Sequence, residues 1–128
     1  MAKPVDLELK KAFIELQLKM VETSEKIQVI DSQIDVLKRV LAHVDITQRE
    51  ISMFPQDTKT YESVGRMFLL TNLDEVKSNL KTRESQLSTR TSELENSKQY
   101  LEKNLKESED NIREMVQQRK EQSDTKAN

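Results

Sequence analysis

The sequence has no cysteine, one glycine, one histidine and two prolines among its 128 residues. Each scarcity closes off a class of chemistry. Without cysteine there are no disulfides and no thiolate metal sites, which fits a reducing compartment. With a single glycine there is no glycine-rich loop to cradle a nucleotide phosphate. A single histidine and no cysteine leave no set of nucleophile, base and orienting group, so no enzyme is expected. Long apolar runs are missing too. The longest is Met67–Leu70, directly after Arg66, far short of the roughly 20 residues that cross a bilayer. The opening Met1-Ala-Lys-Pro4 leads straight into charged sequence and lacks the apolar core of a signal peptide. No basic stripe exists to neutralise phosphates: the net charge is −2 and acids and bases are interspersed. Nucleic acid and membrane are therefore not expected partners.

What remains is charge and periodicity. Charged and hydrophobic residues each make up 34%, too little apolar surface for a globular core, where about half of the residues are apolar. A coiled coil needs only about two apolar residues in seven. Leu9, Phe13, Leu16, Met20, Thr23, Ile27, Ile30, Ile34, Leu37 and Leu41 recur at gaps that alternate between four and three. Only Thr23 is polar, so this is an a/d seam over more than four heptads. Such regularity argues against disorder. Pro4 suits the first turn of a helix, and the spacing predicts a coiled-coil helix over 5–42. The pattern stops at His43, whose imidazole would then sit near a helix C-terminus. Thr47-Gln-Arg-Glu50 has capping-box spacing and predicts a short helix over 47–54, ended by Pro55.

Residues 56–72 differ in character. Gly65 separates two runs rich in Thr, Tyr, Val and Phe. These residues favour strands, and glycine supplies the positive φ of a tight turn. The pattern predicts a β-hairpin over 58–71, with strands at about 58–63 and 66–71. An isolated two-stranded hairpin is marginal in water, so this one calls for further strands from other subunits. The candidate oligomerisation residues are Tyr61, Val64, Gly65, Met67, Phe68, Leu69 and Leu70. Asn72-Leu-Asp-Glu75 then opens a second helix over 72–120. Its seam runs through Leu73, Leu80, Leu87, Leu94 and Leu101, with polar companions at Arg83, Arg90, Ser97 and Asn104. Residues 121–128 lose all periodicity and are expected to be a disordered tail.

The fold class is therefore mainly α: an antiparallel two-helix coiled-coil hairpin with a short β-hairpin between the helices, in a single domain over 1–128. Placing Ala42 near Val76 brings Leu9 near Glu109 and the termini together. That end carries more apolar residues than one seam requires. Val5, Leu7, Leu9, Phe13, Ile112, Met115 and Val116 are its candidate binding residues. Most acids have a base three or four residues away, as in Glu22/Lys26 and Glu102/Lys106, and form solvated helix-face pairs. Asp31 and Asp35 lie one turn apart without a ligand loop, so no metal or other cofactor is expected.

Long helix, hairpin with Tyr61-Glu-Ser-Val-Gly-Arg-Met-Phe68, long helix: this order resembles the β-type subunits of the prefoldin family. Pro4-Val-Asp-Leu-Glu-Leu-Lys-Lys-Ala-Phe13, Tyr100-Leu-Glu and Glu109-Asp-Asn-Ile-Arg-Glu-Met115 are similar to the eukaryotic members. The resemblance implies a heterohexamer of two α-type and four β-type subunits, with the hairpins joined in a β-barrel platform. It also implies an ATP-independent co-chaperone that grips unfolded clients such as actin and tubulin with its coiled-coil tips. Delivery to a group II chaperonin in the cytoplasm, with the nucleus as a further location, is part of the same expectation. The alternative is a structural coiled-coil adaptor or tether, which has no use for the apolar Phe68-Leu-Leu70.

Overall fold

The computed structural model of the chain describes residues 4–127, with side chains over 7–125. The elements are α1 (Pro4–Ser52), β1 (Thr60–Val64), β2 (Met67–Thr71) and α2 (Leu73–Ala127). Two long helices flank a short antiparallel hairpin, as the sequence pattern predicts.

α1 is one unbroken helix of 49 residues. This corrects the predicted stop at 42 and the separate helix over 47–54. The alternation of four and three in fact continues through Leu37, Leu41, Val44, Gln48 and Ile51, and Val44 and Ile51 are buried. One polar residue, Gln48, hides the continuation. The Thr47 hydroxyl donates to the His43 carbonyl at 2.8 Å, the bond of a threonine inside a helix rather than one that caps it. His43 is thus an exposed mid-helix residue, away from the negative end of the dipole. The helix closes ahead of Pro55 with tighter bonds. The Met53 and Phe54 amides donate to the Glu50 and Ile51 carbonyls at 3.3 and 3.1 Å.

The hairpin is slightly shorter than predicted, because residues 58 and 59 leave the turn after Pro55. There the Thr58 amide donates to the Pro55 carbonyl at 3.0 Å. Val64 pairs with Met67 across the turn residues Gly65 and Arg66. Gly65 has φ +62°, and no non-glycine residue among those described has a positive φ. A positive φ at the first turn position alone is the mark of a type II′ turn.

Asn72 stands at the N-cap of α2: its carbonyl accepts the Val76 amide at 3.0 Å. Asp74 and Glu75 place negative charge in the first turn, where the dipole favours it. At the other end α2 continues to Ala127, which corrects the predicted tail over 121–128; Asn128 lies outside the described residues. Residues 117–127 are mostly Gln, Arg, Lys and Glu without Gly or Pro. Good helix formers extend an established helix even without a buried face.

The chain divides into two compact units, one from the N-terminal part up to Asp31 with the part from Asn96 onward, the other Ser32–Glu95. In the second unit Ile34, Val44 and Ile51 of α1 and Leu73, Thr91 and Leu94 of α2 are buried. The α2 stripe here turns Glu84 and Thr91 inward and leaves Arg83 and Arg90 exposed, correcting the predicted companions. A guanidinium is costly to bury, whereas a threonine is not once its hydroxyl is bonded. Thr91 donates to the Leu87 carbonyl at 2.8 Å.

In the first unit the seam residues Leu9, Phe13, Leu16, Met20, Ile27 and Ile30 are only half-buried, as are Leu101, Leu105, Ile112 and Met115. An ion pair joins the helices here: Lys98 Nζ lies 2.7 Å from Asp31 Oδ1 and 3.8 Å from Glu102 Oε1. Leu9 shares a groove with Met115 and Arg119, not with Glu109. The shift is about two to three helical turns, and it goes with the unforeseen extension of α1 to Ser52.

Candidate functional site

Two surfaces are candidates, one in each unit. The first is the hairpin. Residues 61 to 70 are all exposed. Strand alternation and the observed register sort them onto two faces. Tyr61 pairs with Leu70 and Ser63 with Phe68 on one face; Val64 pairs with Met67 and Glu62 with Leu69 on the other. All seven residues singled out from the sequence are therefore brought together: three apolar side chains on each face and Gly65 in the turn. Phe68 is 73% exposed and Leu70 66%. Both faces are apolar, and the sheet has two strands and hence two unpaired edges. Such a surface is a template for further strands. Beside it, Thr47, Ile51, Val76 and Leu80 form a shallow groove with Tyr61 and Ser63.

The second surface is an open groove of about 450 Å³ in the first unit. Its apolar floor is Leu9 and Phe13 from α1 and Met115 and Val116 from α2, and its rim is Lys10, Arg119, Lys120 and Ser123. Four of the seven predicted tip residues thus meet. Leu7 is exposed and Ile112 half-buried in the seam, and neither lines the groove. The Val5 side chain lies outside the described residues. Among the described residues no three His, Cys, Asp or Glu side chains are placed to hold a metal, and no helix is long and apolar enough to cross a membrane. Asp31, half of the Asp31/Asp35 pair weighed as a metal site, is instead paired with Lys98.

The family model described as Prefoldin subunit matches residues 6–119, which takes in both helices and the hairpin. The chain belongs to the prefoldin family. Prefoldin subunit 1 of Danio rerio is 50% identical over 80 residues, 62% of this chain and 66% of the relative. Its Homo sapiens counterpart is 48% identical over the same share of each chain. The aligned stretch is thus just under two thirds of the length of these curated relatives. Prefoldin subunit 1 of Arabidopsis thaliana is 32% identical over 59 residues, 46% of each chain. Among solved structures, the prefoldin beta subunit from Thermococcus strain KS-1 superposes with a TM-score of 0.76 over 80% of this chain and 90% of that one. At 22% identity the likeness establishes the fold.

Within this prefoldin fold, sequence reasoning missed the groove's rim. Arg119 and Lys120 are the last residues of the predicted second helix, Ser123 falls in the stretch read as a disordered tail, and Lys10 reads as an ordinary solvated lysine. The signal that finds them is Val44 and Ile51. Counting those two into the α1 seam moves the whole of α2 along and sets Arg119–Ser123 opposite Leu9 and Phe13. Reasoning from the hairpin alone also passed over Met53, which is 79% exposed at the end of α1 and adds to the apolar surface of that unit.

Proposed function

We propose that the chain is a β-type subunit, of the subunit 1 kind, in a prefoldin heterohexamer of two α-type and four β-type subunits. The complex captures unfolded polypeptides, of the actin and tubulin class, without ATP and passes them to a group II chaperonin in the cytoplasm. The observation that carries the assembly is the hairpin, exposed from Tyr61 to Leu70 with apolar side chains on both faces. A two-stranded sheet cannot cover its own faces or edges, so its stable state is inside a larger sheet. Neighbouring subunits supply that sheet. The groove at Leu9, Phe13, Met115 and Val116 is the client contact of this subunit. Each such contact is weak, but several on one client raise the effective concentration of the next. Release follows from stepwise loss of contacts and needs no chemical step. A tether leaves both apolar surfaces without a purpose.

Native mass spectrometry of the chain mixed with partner prefoldin subunits tests the assembly. The expected result is a hexamer with the wild-type chain. With Phe68→Asp the hexamer is lost while the helical circular dichroism of the chain is unchanged. A hexamer that still forms with Phe68→Asp rules out the hairpin as the platform element.

A further inference from the structure

The groove of the first unit is not evenly charged. Lys10 on α1 and Arg119 and Lys120 on α2 line it, and no carboxylate does. The acids nearest in sequence, Glu8, Glu114, Glu121 and Asp124, lie outside the lining. None of the three cations takes part in an ion pair among the described residues. Lys10 is also set within apolar surface. Phe13 is on the groove floor beside it, and Leu7 and Ile14, three residues before it and four after, are 52% and 48% exposed. Residues at those spacings are neighbours on a helix surface. A chain segment covering the floor would desolvate this ammonium and bring its own groups against three cations. A carboxylate there gains, and a second cation is repelled.

From this we infer that the groove selects client segments in which apolar residues are flanked by Asp or Glu, over equally apolar segments flanked by Lys or Arg. The inference rests on the groove being a client contact. It runs against the chain's overall charge of −2, which by itself would draw basic segments. The selectivity is therefore local, and it weakens as salt screens the rim.

A photo-crosslinking side chain at Ser123, which lines the groove, reads this site alone within the assembled complex. Two unstructured peptides with the same Leu/Phe core, one flanked by Glu and one by Lys, compete for it. The expected result is about fivefold more crosslink to the Glu-flanked peptide at low salt, from three partly exposed ion pairs. In the Lys10→Glu/Arg119→Glu/Lys120→Glu variant the preference should reverse. Phe13→Ala/Met115→Ala should lower the crosslink to both peptides alike. Equal crosslinking of the two peptides, or a preference unmoved by the charge reversal, overturns the selectivity and leaves the groove a client contact. A crosslink to both peptides that survives Phe13→Ala/Met115→Ala undiminished overturns the client reading itself, and the inference with it.

Discussion

The two units are built from the same two helices but packed differently. Every described side chain that is buried belongs to the second unit: Ile34, Val44, Ile51, Leu73, Thr91 and Leu94. The first unit has an equally regular α1 stripe, yet its seam residues stay half-buried. The difference lies in the facing helix. In the second unit α2 offers Leu73, Val76, Leu80, Leu87 and Leu94, with Glu84 and the small Thr91 as its inward polar residues. In the first unit the α2 stripe includes Lys98, Asn104 and Ser108, which cannot close over leucine and isoleucine. The second unit closes more tightly, although Leu37, Leu41, Val76, Leu80 and Leu87 there are half-buried too, and it makes the firmer base for the hairpin. A seam that closes halfway leaves apolar surface for binding, at a cost in local stability.

Truncations on either side sharpen the contrast most. Leu73 is 2% exposed, and Leu73→Ala should cost about 2–5 kcal/mol in urea unfolding of the chain. Leu9→Ala, in the half-buried seam, should cost less than about 1.5 kcal/mol. Equal costs would show that the two units are packed alike.

Gly65→Val comes next in size. No atom lies within 4 Å of where a Cβ would stand, so the penalty comes from φ +62° alone. A β-branched residue forced into that region costs about 1–3 kcal/mol. The turn should open and assembly with partner subunits should fail by size exclusion, with helicity retained. An intact complex would show that the turn geometry is dispensable.

The smallest effect concerns the ion pair in the first unit. Asp31 and Lys98 side chains are 46% and 32% exposed, so Asp31→Asn should change stability by no more than about 1 kcal/mol. The change should shrink further in high salt. A loss above 2 kcal/mol, on the order of breaking a buried pair, would mean that this pair, not the apolar seam, sets the helix register.

Much of this was legible in the residues. The four–three spacing from Leu9 to Leu41 is a local property of α1, and Gly65 between two strand-forming runs is a local property of the hairpin. The α1 spacing is kept in the structure and the turn falls at Gly65, with strands slightly shifted from the predicted ones; the seven candidate residues lie on that hairpin. What failed were judgements at polar interruptions. Gln48 hid the last turns of α1, and Arg83 and Arg90 stood in for Glu84 and Thr91. In each case the residue turned inward is decided by what the opposite helix can cover, not by the run of apolar letters. The groove's floor could be named in part from composition, since Leu9, Phe13, Met115 and Val116 are surplus to one seam.

By itself the sequence determined the element types, the hairpin with its turn, and an excess of apolar residues in two places, because helix and strand periodicity and a glycine turn are written over a few neighbouring residues. Only the tertiary structure decided the length of α1, the helix register and hence the groove. Register depends on which turn of one helix meets which turn of the other. A regular heptad stripe allows many such pairings, and the full extent of α1 with the burial of Val44 and Ile51 selects one. The three cations around an apolar floor are brought together only in that register.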